Sequence, residues 1–411
     1  MNNYTRIEQC RICKSKKIVP VVRIKKQHIA STFVKTNKNN PKAKIMIPMT
    51  LMLCENCHLV QLKETVKPDL LYKEYFYRSN VSATMKRDLQ NVVDDVSSRV
   101  IRGSGDKVLD IGCNDGLMMT MFTRNFNVWG IDPAENIEPV TKGLKIITDY
   151  FPASQLTGSK FSIITSTAMF YDLDNPNKAV KEIKKLLAPD GVVCIQVSYL
   201  YDTIHDMNFY DICHEHLEYY SLETLQYLMR NNGMKIFDAS INAVNGGSIR
   251  IMVTHKNNKR KISPNIKYLL NREKMLHLAN HLTYTYFAKI IDSNATIIRN
   301  FIKSQKGLVI ALGASTKGNV LLQLCKLTRR DLPYISERNP YKVGLRNLGI
   351  DMELISEEAA RKLKPTCMFI VPWNFKEEIV DRERAYIESG GKLLFIMPYP
   401  YILDKEGEHR L

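Results

Sequence analysis

The stretch DKVLDIGCNDGLMMTMF (106–122) constrains this chain more than any other. An apolar run, a glycine-bounded turn and a helix-compatible run follow directly on one another, the order in which a parallel strand hands over to its covering helix. The next apolar run, NVWGID (127–132), closes on Asp132, 22 residues after Asp110. An acidic group at that distance, on the tip of the second strand of such a sheet, suits a ribose diol. Residues 161–197, FSIITSTAMFYDLDNPNKAVKEIKKLLAPDGVVCIQV, repeat strand, loop, helix, a Pro-Asp-Gly turn and strand. The alternation starts near residue 84, and the class it predicts is α/β with a doubly wound sheet.

The loop itself narrows the ligand. Gly112 to Gly116 reads G-C-N-D-G, not the G-x-G-x-x-G that cradles a pyrophosphate. S-adenosylmethionine has no pyrophosphate, and needs room for a methionine tail and a carboxylate for its amino group. Asp110, Gly112, Asn114, Gly116, Asp132 and Pro133 are the expected cofactor contacts, in a class I methyltransferase Rossmann-like domain.

Nine cysteines remain to be explained. No apolar run is long enough to span a bilayer, and MNNYTRIEQC has no signal-like apolar core, so a cytoplasmic chain with reduced thiols is expected. Cys10 and Cys13 form one C-x-x-C pair and Cys54 and Cys57 another; two such turns supply the tetrahedral sulfur set of a closed, structural Zn2+ site. The intervening forty residues accommodate a β-hairpin excursion over 18–50. His58 is surplus to the set. The balance of 59 Lys+Arg against 42 Asp+Glu gives +17, but the lysines are spread along the chain, and KSKK (14–17) and KNNKRK (256–261) read as solvated loops. Neither nucleic acid nor membrane is an expected partner. A zinc-containing nucleic-acid-binding protein would explain the charge and leave the other motifs unexplained.

FYDICHEHLEYYS (209–221) sets two histidines around a glutamate. The spacing is wrong for a helical H-E-x-x-H metal site. An extended segment would put His214 and His216 on one face and Glu215 on the other, an acid/base centre with an orienting carboxylate. NGGS (245–248) is flexible enough for backbone to approach a ligand closely, a sugar-nucleotide contact. Residues 266–304 carry helical spacing throughout and connect to a further βα alternation: GLVIALGAS, KGNVLLQLCKL, TCMFIVPW and KLLFIMPYP, a second Rossmann-like domain. Its GASTKG loop is not a P-loop, though amides at a helix start can hold an anion.

Taken in order, the four cysteines, YFYRSNVSATMKRD (75–88), VLDIGCNDG (108–116), GIDPAENI (130–137), HEHLEYYSLETL (214–225), NGGSIRIMV (245–253), GASTKGNVLLQ (313–323), ERNPYKVGL (337–345), WNFKEEI (373–379) and GGKLLF (390–395) resemble the nucleotide-sugar C-methyltransferases over nearly the whole chain. The resemblance implies deoxysugar biosynthesis: methylation of the carbon beside a sugar ketone through an enolate, on a nucleotide-diphosphate sugar lying between two lobes. It implies His216 as base with Glu215 and His214 as partners, and Tyr75 or Tyr77 near the keto group. On that reading Ser79, Asn245, Gly246, Gly247 and Lys317 are the expected substrate contacts; Lys317, in the GASTKG helix start, is the candidate to neutralise the diphosphate, with a plain loop lysine as the alternative. The parts it implies are a zinc-binding module (1–74), a methyltransferase domain (75–255), a helical connector (256–306) and a C-terminal substrate domain (307–411) that binds no second cofactor, in a monomer or homodimer. Two positions depart from the family pattern. Cys213 stands where the family has a tyrosine, and reads as a small buried hydrophobe. Tyr171 stands where many members have histidine. Either Tyr171, Tyr219 or Tyr220 rebuilds the proton relay, or the reaction differs, with O-methylation the nearest alternative.

Overall fold

The computed structural model describes residues 3–100, 106–122 and 126–411. The glycine-loop strand, Lys107–Ile111, is an inner strand of a seven-stranded sheet. Its order is Met234–Asn242, Ser248–His255, Leu187–Ser198, Phe161–Thr167, Lys107–Ile111, Asn127–Ile131, Lys145–Ile147. Only the second strand, Ser248–His255, runs against the rest; it pairs antiparallel with both of its neighbours. The strand order reverses between Lys107–Ile111 and Phe161–Thr167, and the carboxyl ends of such strands open the crevice where ligands bind. The helix Ala83–Ser97, capped by the Ser82 hydroxyl on the Met85 amide, buries Leu89, Val92, Val93 and Val96 against this sheet.

Two local expectations change. The run after the glycine loop forms a single 3-10 turn over Met118–Met121 among the described residues. Pro189-Asp190-Gly191 does not end a strand; it is absorbed as an irregularity between Leu187 and Val192, where the partner strand advances only from Phe161 to Ile163.

The N-terminal excursion is a long antiparallel hairpin, Ile18–His28 with Met46–Cys54, extended by Val60–Leu62. Its fourth strand comes from far along the chain: Glu218–Tyr219 pairs with Val60 and Gln61. The hairpin tip contributes Phe33–Val34 to the edge of the C-terminal sheet, against Arg346–Asn347. That sheet has nine strands, with five parallel ones at its centre in the order Lys392–Phe395, Cys367–Ile370, Val309–Leu312, Tyr334–Glu337, Glu353–Ser356.

The cores follow these crossings. Cys10, Ile12, Cys54 and Cys57 pack with Ile111, Phe170 and Tyr220 of the glycine-loop half. Val22, Ile24, Met49 and Leu51 pack with Phe287, Val320 and Met352 of the C-terminal half. The helical stretch is two helices, Pro264–Met275 and His281–Ser304, broken where His277 takes a left-handed φ of 52° and Asn280 caps the second. Among the described residues no helix is long and apolar enough to cross a membrane.

Candidate active site

The four cysteine sulfurs lie within 4.8 Å of one another, with Cys10 to Cys57 and Cys13 to Cys54 both at 3.5 Å. Zn–S bonds of about 2.3 Å in a tetrahedron need sulfurs just under 4 Å apart. The set fits, and these four cysteines are the residues that would hold a structural zinc. His58 turns away, with Nδ1 3.5 Å from Glu223.

The glycine loop is built around two carboxylates. Asp132 accepts the Asn114 amide at 2.9 Å and the Ala134 amide at 3.0 Å. Asp110 is buried and accepts the Thr165 hydroxyl at 2.9 Å; burial pushes its carboxyl up to about 7. Gly112 has φ 78°, and a Cβ there would lie 2.7 Å from Met169 Cγ, so only glycine fits the turn. Asp110, Gly112, Asn114, Asp132 and Pro133 all line one cavity of about 420 Å³. Gly116 does not: it packs against Leu144 and shapes the loop from behind. Ser79 and Asn114 are tied together, the Ser79 amide donating to Asn114 Oδ1 at 3.1 Å.

The same cavity continues to Tyr75, Tyr77, Ser79, Tyr171, Glu215, His216 and Asn245, and ends on Gly313–Lys317 of the C-terminal domain. The segment before His216 is not extended. The His216 amide donates to the Cys213 carbonyl at 3.3 Å, and the turn rotates the two histidines apart. His214 is fully buried with Nε2 3.0 Å from the Ile47 carbonyl, so it anchors the zinc-module hairpin and does not reach the cavity. Glu215 and His216 share the cavity instead. Glu215 is 3% exposed, and neither carboxylate oxygen has a hydrogen-bond partner.

His216 Nδ1 lies 3.6 Å from Asp211, which also accepts the Ser198 hydroxyl at 3.3 Å and an ion pair from Lys317. Burial pulls the imidazole down to about 4, Asp211 offsetting part of that fall. His216 is therefore neutral at pH 7, as a proton acceptor must be. The Tyr171 ring stands 4.1 Å from that imidazole, and burial raises its phenol well above the usual range, so it stays a donor. Tyr219 and Tyr220 lie in the two hydrophobic cores rather than on the cavity and are no part of a relay here. Cys213 is buried, with its thiol pushed well up by desolvation, as expected for an inert side chain.

Lys317 faces the cavity, but its ammonium is paired with Asp211 and is not free for a diphosphate; burial pulls its pKa down and Asp211 more than offsets this. Gly246 and Gly247 also act within the fold. A Cβ on Gly247, at φ 112°, would collide with the Asp202 side chain, and one on Gly246 would crowd Asn208, Tyr210 and Trp373. Only Asn245 of this turn lines the cavity. Sequence reasoning passed over Asp211, five residues before His216, and Tyr72, whose hydroxyl donates to the Glu215 carbonyl at 3.2 Å. It also passed over Asp172, which lines the cavity with Oδ1 unpartnered. The carboxylate in FYDICHEH was the available signal for Asp211.

Three family models match successive parts of the chain: "Putative zinc binding domain" over residues 10–72, "Methyltransferase domain" over 77–238 and "C-methyltransferase C-terminal domain" over 243–398. The C-methyltransferase NovU of Streptomyces niveus is 26% identical over 413 residues, covering 97% of this chain and 98% of that protein. A solved S-adenosylmethionine-dependent methyltransferase from Clostridium acetobutylicum ATCC 824 superposes with TM-score 0.33 and 13% identity over 41% of this chain and 92% of its own. The CcbJ methyltransferase from Streptomyces caelestis does so with TM-score 0.34 and 11% identity over 41% and 89%.

Proposed function

We propose, since the chain belongs to the C-methyltransferases that join a zinc-binding, a methyltransferase and a C-terminal domain, that it methylates the carbon beside the ketone of a keto-deoxysugar nucleotide. The observation that carries this reading is the single cavity lined by the glycine loop, by His216, Tyr171 and Glu215, and by the C-terminal loop Gly313–Lys317. A nucleotide sugar reaching in from the C-terminal loop would bring its sugar to the histidine and its reacting carbon toward the glycine loop.

S-adenosylmethionine, held by Asp110, Gly112, Asn114 and Asp132, supplies an electrophilic methyl group. His216 is the base. Its Nδ1 faces Asp211, which favours the tautomer with the proton on Nδ1 and leaves Nε2 to take the proton from carbon. The Tyr171 phenol, protonated at working pH, donates a hydrogen bond to the enolate oxygen, and Tyr75 is the second candidate donor. Asp211, balanced by Lys317, takes up the imidazolium charge as it forms. Tyr171, on the loop after Phe161–Thr167, takes the place of the tyrosine that the family pattern has where this chain has Cys213.

The test is incubation with S-adenosylmethionine and a panel of 4-keto-6-deoxy nucleotide sugars in deuterated water, followed by mass spectrometry. Methyl gain together with deuterium exchange beside the ketone, both lost in His216→Gln, is the expected result. Methyl transfer with no exchange would overturn the enolate route and make the product an ether.

A further inference from the structure

Arg11 stands inside the first C-x-x-C turn, between Cys10 and Cys13, yet its side chain turns away from the sulfurs and is 2% exposed. Nη1 donates to the Leu62 carbonyl at 2.5 Å and Nη2 to the Thr65 hydroxyl at 2.6 Å. Nε lies 3.4 Å from Asp174 Oδ1 and 3.6 Å from Glu218 Oε1. Arg11 is the only cation paired with either acid among the described ion pairs. For Glu218 that pairing is all there is: its side chain is 0% exposed and neither oxygen has a hydrogen-bond partner.

The two acids belong to the two segments that carry the chemistry. Asp174 lies three residues after Tyr171, and Glu218 two residues after His216. Those segments are tied to each other, the Leu217 amide donating to the Tyr171 carbonyl at 2.8 Å. The Leu217 carbonyl in turn accepts the Leu62 amide at 2.8 Å, and the Leu62 carbonyl is the acceptor of Arg11 Nη1. Asn177 Nδ2 donates to the Arg11 and Ile12 carbonyls at 3.1 and 2.8 Å. The loop bearing Tyr171 is thus held at its start, its middle and its end, and two of those three ties go to Arg11. A planar guanidinium holds several acceptors in fixed directions, which an ammonium on a flexible stem does not.

We propose that Arg11 is a positioning residue for the methyl-transfer chemistry: from the zinc-module turn it fixes the placement of Tyr171 against His216. This rests on the function read above, in which those two groups hold the enolate oxygen and take the proton. A clamp that only joined the module to the rest of the chain would change stability and leave the turnover of folded protein alone.

The experiment compares full-length, zinc-loaded wild type with Arg11→Gln, Arg11→Lys and Asp174→Ala on the 4-keto-6-deoxy nucleotide sugar of the panel that the wild type methylates. Rates are taken per folded, zinc-containing molecule, from metal analysis and thermal unfolding. Catalytic groups displaced by about 1 Å lose about a hundredfold in rate, so Arg11→Gln is expected to lower kcat about ten- to a hundredfold. KM for the sugar nucleotide and affinity for S-adenosylmethionine should stay within about twofold, since no ligand contact is removed. Deuterium exchange beside the ketone, measured without the methyl donor, should fall in parallel. Arg11→Lys keeps the charge and should recover the unfolding midpoint, with kcat still at least about fivefold down. Arg11 variants whose kcat lies within about twofold of the wild type overturn the proposal, whatever their unfolding midpoint. Where both lose zinc, Asp174→Ala decides, its acid being 63% exposed and outside the zinc turn. A kcat at least about threefold down then supports the proposal, and an unchanged kcat overturns it. A wild type that methylates no member of the panel overturns the function reading, and this proposal with it.

Discussion

Replacing Lys317 by methionine tests the electrostatics at the centre of the cavity. The ammonium is the only lysine or arginine charge paired with Asp211 among the described ion pairs, and Asp211 is 2% exposed. Removing one partner of a buried ion pair costs about 3–5 kcal/mol, because the other charge stays buried. Asp211 keeps the Ser198 hydroxyl at 3.3 Å and has His216 Nδ1 at 3.6 Å, which places the expected loss at the lower end, about 3 kcal/mol, or roughly two orders of magnitude in the folding equilibrium. The loss should depend on pH with a definite sign. In the parent protein Lys317 helps hold His216 down near 4; without it, Asp211 draws a proton onto the imidazole at higher pH. Protonated His216 then replaces the missing charge, so the variant should lose most stability near pH 8 and less near pH 5.5. Urea unfolding followed by Trp373, which stands edge-on to Tyr210 at 6.2 Å, reports on this region; Trp129→Phe removes the other tryptophan. The acid limb of kcat/KM should move to higher pH in the same variant, and Asp211→Asn added to Lys317→Met should restore stability to within about 1 kcal/mol. A variant within about 1 kcal/mol of the parent at pH 8, with an unmoved acid limb, would refute the pairing as a source of stability and of histidine control.

Three further outcomes follow from the same geometry. Asp110, lifted by burial to about 7, must lose its proton before it can accept an ammonium. Affinity for S-adenosylmethionine should therefore fall up to about tenfold per pH unit below 7, level off above it, and become flat in Asp110→Asn, as read by calorimetry across pH. By the same linkage the ligand-free protein loses this group's contribution to stability as pH rises from the usual carboxylate range toward 7, since the folded state binds the extra proton there. Stripping the zinc, or Cys57→Ser, should abolish methyl transfer as well as unfold the hairpin, because Glu218–Tyr219, just after His216, is a strand of that same sheet; circular dichroism and activity should fall together on chelation. Gly247→Ala should cost upwards of about 2 kcal/mol through its positive φ and the collision with Asp202, whereas Lys259→Ala, in the KNNKRK loop, should lie within about 0.5 kcal/mol in a thermal-shift assay.

What could be read in advance was whatever the chain writes locally. Asp110, Gly112 and Asp132 are spaced by the pitch of a strand and its return, and two C-x-x-C turns declare themselves by spacing alone. The second βα alternation was visible for the same reason. The HEH geometry was not, because alternation of faces assumes an extended chain and a turn at Cys213–His216 cancels that assumption. Lys317 was read as free because nothing near it in sequence is acidic; its partner Asp211 arrives from another lobe. Gly246 and Gly247 were read toward a ligand, yet the groups that exclude a Cβ there are Asp202 and Tyr210. In each case the deciding contact is made by residues that no local pattern connects.

The stitched sheets bear on how the chain is made. Its N-terminal hairpin is synthesised first, yet Val60–Leu62 waits for Glu218 and Tyr219, and Phe33–Val34 waits for Arg346 and Asn347. At about 5–20 residues per second, translation leaves those edges open for seconds to tens of seconds. Open strand edges invite pairing with other chains. The zinc-bound cysteine turns can close early, without any later residue, and would hold the nascent hairpin in register through that interval. A cell short of zinc during synthesis should therefore accumulate aggregated chains, even where zinc added afterwards suffices for protein already folded.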